Sequence, residues 1–172
     1  LFQSSYYLNR KYKEADVLIS LPVLKNHSYA AVTGAIKNVA IGATPANIYG
    51  KSSQDINRFN KIPHDKVNFH KWVHDYYRLR PVEFSIVDGL QGLQNGPMCY
   101  ADVCDLPGNQ MNMRLILAGR DAVAVDTIQA LVMGWDPESV TYLKLLNASG
   151  SGNLDTAYIT VAGQPVGSVR KE

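Results

Sequence analysis

Cysteine is nearly missing from this chain, with only Cys99 and Cys104 in 172 residues. Two thiolates cannot complete the four-ligand set of a typical iron–sulfur cluster, and the pair is equally consistent with one disulfide or two reduced thiols, so the redox compartment stays open. Long apolar runs are missing as well: none approaches the roughly 18 residues that a membrane span needs. There is no long basic run. The 17 lysines and arginines are scattered among 15 acidic residues for a net charge of +2, which excludes a general nucleic-acid-binding role. The sequence starts at Leu1 with neither a methionine nor a signal-like segment, so targeting is not readable. The expectation is a cytoplasmic protein, with export left open.

What is present is a chain with 46% hydrophobic and 19% charged residues, enough for one good-sized core and one domain over residues 1–172. Its most informative stretch is residues 21–42, LPVLKNHSYAAVTGAIKNVAIG, where Lys25, His27 and Lys37 are interleaved with Val23, Leu24, Val32, Ile36 and Val39. A core would exclude those cations, and a solvated face would not carry so many apolar neighbours. Together they point into a cleft.

In chain order, residues 15–21 (ADVLISL) predict a strand that Pro22 ends, and Ser28 predicts the N-cap of a helix over residues 29–41, with Gly34 inside it marking a close backbone approach. Residues 42–63 are polar and turn-rich, and read as a flap over a site. A helix is expected over 64–80 with Phe69, Trp72, Val73, Tyr76 and Leu79 on one apolar face, and strands over 82–89 (VEFSIVDG) and 113–119 (MRLILAG). A helix then follows from Asp121, another from Asp136 and Pro137 to about Ala148, and a last strand over 157–163. Strands alternating with helices predict a layered α/β fold, its central sheet largely parallel or mixed, with helices on both faces.

In such sheets ligands bind beyond the carboxyl ends of the strands, where this sequence places Lys25 and His27, then Asp88 and Asn95, then Asp121. Lys25, Lys37 and Asn38 could grip an anion near a helix start, although the bland alternative has the lysines reaching to solvent and His27 capping a turn. Asp126 lies in a helix apolar nearly all round, so its carboxylate needs a lysine, a metal or a backbone amide as partner. Asp121 reads first as a helix cap, and Asp88-Gly89 as either an acid–base carboxylate or an ordinary turn. His70 and His74 have a spacing that can serve one metal, without the glutamate of a zincin helix. The glycines of GLQGLQNGP match neither a dinucleotide fingerprint nor a phosphate loop, and no serine-nucleophile elbow is present.

The ordered set ADVLISLPVLKNHS, VTGAIKN, NFH at residues 68–70, IVDGLQGLQNGP, LILAGRDAVAVDTIQALVMGWDP, SGNLD and ITVAG resembles the DUF362 family, a domain of unknown function often found beside ferredoxin-type 4Fe–4S modules. The resemblance implies pattern positions at Lys25, His27, Lys37, Asn38, His70, Asp88, Asn95, Asp121 and Asp126, and a chain that is a piece of a longer protein. Any 4Fe–4S cluster would then sit on another segment or subunit, such as a ferredoxin-like domain. The combined expectation is an enzyme that binds a small anionic substrate through Lys37, Asn38 and Asn95. Lys25, His27 and Asp88 would act on it, with a divalent metal on Asp121, Asp126 and His70. The alternative is a non-catalytic ligand-binding or redox-partner module beside an iron–sulfur domain.

Overall fold

The computed structural model describes residues 2–50, 61–96 and 109–171. In chain order its elements are helix α1 (Arg10–Glu14), strands β1 (Ile19–Ser20), β2 (Val23–His27) and β3 (Ala31–Thr33), then helices α2 (Ala35–Gly42), α3 (Ala46–Tyr49) and α4 (Asn68–Leu79). Strands β4 (Phe84–Leu93) and β5 (Leu115–Gly119) follow, then helices α5 (Ala122–Val132), α6 (Thr141–Ala148) and α7 (Val166–Val169). This is the layered α/β architecture expected, built on a mixed sheet.

β4 is the axis of that sheet. Along one edge it pairs in parallel with both β1 and β2, through Ile19 with Phe84, Ser20 with Ser85 and Val23 with Asp88. The spacing between partners is the same in all three pairs, so β1 and β2 form one strand interrupted at Leu21 and Pro22. Proline has no amide to donate, but its carbonyl still accepts from Asp88 N at 2.8 Å and carries the ladder across the break. Beyond Val23 the register slips, so that Lys25 stands opposite Leu93, and the irregularity bends this end of β2. Along its other edge β4 pairs antiparallel with β5, from Ser85 with Gly119 to Gly89 with Leu115.

The expected strand over 15–21 is therefore short before Pro22 and resumes after it, which puts Lys25 and His27 on a strand and not in a loop. The helix expected from Tyr29 also starts later. His27 Nδ1 accepts from the amides of Tyr29 and Ala30 at 3.1 and 3.3 Å, and Ala31 takes a left-handed φ of 59°. That turns the chain back as β3, antiparallel to β2. Helix α2 begins only after Gly34, and its cap comes from Asp126, not Ser28. The helix expected over 64–80 runs from Asn68, with Asp65 Oδ1 accepting from Val67 N and Asn68 N at 3.0 and 2.8 Å. The apolar run 157–163 makes no strand: Thr156–Tyr158 is a single 3-10 turn, and the run pairs with no strand among the described residues. Of the expected flap, residues 46–49 form α3 and residues 51–60 lie outside the described residues.

The core lies between the sheet face of Ser20, Ser85 and Val87 and the helices α2, α4, α5 and α6. Phe69, Trp72, Val73, Tyr76 and Tyr77 of α4 are buried, and Trp72 Nε1 donates to Ala40 O of α2 at 3.1 Å. Truncating such a tryptophan to alanine costs about 3–5 kcal/mol, so the packing of α4 on α2 is a main source of stability. Tyr6 and Tyr49 add edge contacts to Trp72, at ring-centroid distances of 5.2 and 5.0 Å. The opposite sheet face does not carry the helices expected on both faces: among the described residues, Ile19, Val23 and Ile116 there remain more than half exposed. No helix among the described residues is long and apolar enough to cross a membrane.

Candidate functional site

Three of the four histidines and two lysines converge where β2, β3, α2 and the start of α4 meet. Lys37, in the first turn of α2, is only 6% exposed. Its Nζ donates to Thr33 Oγ1 at 2.9 Å and stands 5.5 Å from the centre of the Phe69 ring. No carboxylate pairs with it among the described residues. Phe69 is the hub of the group: the ring of His27 stacks on it at 5.4 Å, and those of His64 and His70 approach within 5.6 and 6.1 Å. His64 and Tyr29, both half-buried, meet edge to face at 6.5 Å, and Lys25 stands across the hairpin from Thr33.

The electrostatics follow from packing cations together away from water. Burial, and then the charge of Lys25, pushes the Lys37 amine down to about 6. Burial pushes His27 down to about 3, helped by Lys37, His64, Lys25 and His70 in that order. His70 is also lowered, chiefly by burial. Because His27 Nδ1 already accepts two backbone amides, the neutral ring carries its proton on Nε2 and can donate there. His70, stacked on Tyr142 at 6.1 Å, keeps its Nδ1 buried with no hydrogen-bond partner among the described residues.

Other expected site residues are engaged elsewhere. Asn38, next to Lys37 on the helix but turned toward β1, donates from Nδ2 to Ser20 Oγ at 3.2 Å and lines an open groove of about 370 Å³ with Tyr12, Leu18 and Val82. Asp88 is exposed, and its Oδ1 accepts from Leu90 N at 2.9 Å on the strand itself. It alternates with the buried Val87, so it faces away from α2. Asn95 adopts a left-handed φ of 59° after β4 and donates to Asn109 Oδ1 at 2.8 Å.

Asp121 caps α5, its Oδ1 accepting from Val123 N and Ala124 N at 2.9 and 3.0 Å, while Oδ2 takes Asn153 N at 2.8 Å. Asp126, fully buried, accepts from Ala35 N at 2.6 Å, Ile36 N at 3.2 Å and the Tyr142 hydroxyl at 3.3 Å. Its partners are thus the first amides of α2. One turn on, Gln129 Nε2 donates to Thr33 O at 2.8 Å. Between them, Gly34 packs so closely that a β-carbon would collide with the Asp126 and Gln129 side chains.

Asp121, Asp126 and His70 are not brought together as a metal set, because the first two are committed to helix starts. Among the described residues no three His, Cys, Asp or Glu side chains come close enough to share an ion. His74 pairs with Asp75 Oδ1 at 2.8 Å. Cys99 and Cys104 lie outside the described residues. Sequence reasoning did not single out His64, Thr33 or the ring of Phe69 as site residues. Phe69 looked like one more apolar position on α4, and Thr33 owes its role to β3, which the sequence did not announce.

A family model described as a domain of unknown function, DUF362, matches residues 2–130. The chain belongs to the DUF362 family. That match holds all five strands and most of α5, so the cation cluster and its Asp126–Gln129 support both lie within the DUF362 domain. Thylakoid-associated protein sll1697 of Synechocystis sp. is 27% identical over 138 residues, covering 77% of this chain and 37% of that protein. The chain therefore spans well under half the length of this relative. No solved structure matches it.

Proposed function

We propose that this DUF362 domain is an enzyme domain that binds a small anion at Lys25, His27 and Lys37. The observation that carries the reading is the buried Lys37 amine, which no carboxylate pairs with among the described residues. A buried cation normally keeps a counter-charge, because leaving one unpaired costs several kcal/mol. Here the charge that acts on it among the described residues is a second cation, Lys25, so on this reading the complement comes from a ligand, or the amine stays neutral until one arrives. Lys25, half-buried, would meet the ligand at the rim. Lys37 would meet it inside, and His27 Nε2–H would donate a hydrogen bond that does not depend on pH near neutrality. Asp88, Asn38 and Asp121 fall outside this set by their contacts.

The test is a thermal-shift and calorimetric series with inorganic phosphate, sulfate and small mono- and dicarboxylates on the full-length protein. Saturable stabilisation that disappears in Lys37→Met supports the site. Equal responses from wild type and variant to every anion would sink it.

A second reading draws on the bare sheet face. Ile19, Val23 and Ile116 form an apolar surface that a docking module could present to a partner such as a ferredoxin-like domain, and the relative sll1697 is thylakoid-associated by name. On this reading Ile116→Lys lowers the sedimented mass of the native assembly and leaves the anion response intact. An unchanged assembly would count against it.

A further inference from the structure

If the anion reading holds, the same site carries a second chemistry. The geometry points to Lys37 as a nucleophilic amine that condenses with the carbonyl of a small 2-oxo acid, whose carboxylate lies toward Lys25.

Lysine becomes a nucleophile when its nitrogen lone pair is free, and two arrangements free it: a desolvated site, and a neighbouring cation that opposes protonation. Lys37 has both. It is 6% exposed, it stands against the Phe69 ring, and Lys25 is the charge it feels most. Among the described residues no carboxylate holds the ammonium form. Its hydrogen-bond partner among the described residues, Thr33 Oγ1, is a neutral hydroxyl, which can hold the nitrogen in place without fixing its charge. The lowering of Lys37 to about 6 agrees with this geometry, since the amine would be largely neutral at pH 7.

Thr33 and Lys37 are also held as a unit. Gln129 fixes the Thr33 carbonyl and Asp126 fixes the first amides of α2, so the nitrogen's position is set from α5. Lys25 and the His27 Nε2–H supply the rest: a charge for a carboxylate and a donor for the carbonyl oxygen.

The step balances without an outside reagent. The Lys37 lone pair attacks the carbonyl carbon, the C=O π pair moves to oxygen, and a nitrogen proton passes to that oxygen to give a carbinolamine. A second nitrogen proton and the hydroxyl then leave as water, and a carbon–nitrogen double bond forms.

The experiment treats the full-length protein with pyruvate or glyoxylate and sodium cyanoborohydride at pH 7, followed by intact mass and peptide mapping. The expected result is one adduct per chain, on Lys37, formed before the surface lysines react and slowed by inorganic phosphate. Its rate should have levelled off by about pH 7, whereas surface lysines keep gaining toward about pH 10. Lys37→Arg, which keeps the length and a charge, should lose the early adduct. Lys25→Gln, at a half-buried position, should slow it several-fold. Scattered labelling with Lys37 unmodified overturns the proposal. If phosphate still raises the thermal midpoint of wild type but not of Lys37→Met in that case, the anion site stands and only the covalent step falls. If neither protein responds, both fall.

Discussion

Gly34 lies directly against Asp126, with no room for a β-carbon between the glycine and the carboxylate that caps its helix. The close contact is what lets a residue on α5 reach the first amides of α2, in the same turn as Lys37.

Gly34→Ala therefore forces apart two side chains that cannot yield cheaply, because Asp126 is bonded to Ala35 N and Gln129 to Thr33 O. The expected loss is about 2–4 kcal/mol, combining overpacking with a broken buried cap. Urea unfolding measures it, and a loss below about 1 kcal/mol would show that the junction relaxes freely.

Lys37→Met should stabilise the protein while removing the anion response. The Lys37 amine is lowered in the fold, so between about pH 6 and the ordinary lysine value the unfolded chain holds a proton that the folded chain does not. Wild-type stability from this group thus rises with pH across that window and falls as the solution is acidified toward 6. The methionine variant lacks the slope. Thermal midpoints should exceed wild type by about 3–6 °C at pH 7, with the gap closing toward pH 10.

Asp126 titrates with the opposite sign. Burial raises it to about 7 against the pull of the amide hydrogen bonds. Between roughly pH 4 and pH 7 the fold keeps a proton that the unfolded chain has released. Its contribution is full below about pH 4 and is lost as pH rises through about 7. In Asp126→Asn, which puts an amide donor against backbone N–H groups, stability should drop by about 1–3 kcal/mol and this pH slope should vanish. Chemical denaturation at pH 4.5 and 7.5 reads both effects.

Asp88→Asn should be quiet. The side chain is exposed and accepts one amide on its own strand, so the expected change is under about 1 kcal/mol, with the anion response of the Lys25 and Lys37 site unaltered. Loss of that response would return Asp88 to the site.

Tyr6→Phe probes the N-terminal segment. The Tyr6 hydroxyl donates to Asp75 Oδ2 at 2.9 Å and accepts from Gln3 N at 3.2 Å, and Asp75 also takes the amide of Phe2. Removing it should cost about 1–2 kcal/mol and speed amide exchange over residues 2–8 before any other segment, as followed by hydrogen–deuterium exchange.

The parts of this protein that were legible in the sequence are those with local causes. The apolar face of α4, apart from the exposed Leu79, and the Asp121 cap follow from spacing and cap chemistry within a few residues, whereas Asp136 caps only a 3-10 turn over Pro137–Ser139 and the helix expected from there begins at Thr141. Asp126 announced that it needed a partner, and Gly34 that something came close. Neither revealed that it was the other's neighbour, because that contact joins residues on elements far apart in the chain. β3 was missed because three residues carry no period, and its turn depends on His27 accepting two amides and on Ala31 entering a left-handed conformation. The run at 157–163 was over-read, since alternating apolar residues make a strand only where a neighbour offers an edge.

The distance along the chain between Lys37's helix and its anchor also sets an order of assembly during synthesis. The hairpin of β2 and β3 closes across a handful of residues, and α2 and α4 can pack once residue 79 has emerged. The start of α2 has no cap until Asp126, ninety-one positions after Ala35, leaves the ribosome. A nascent chain halted before α5 would carry the lysines and histidines of the cluster without the element that holds Lys37 in place. The chemistry proposed for that amine would therefore switch on only near the end of translation of the DUF362 domain.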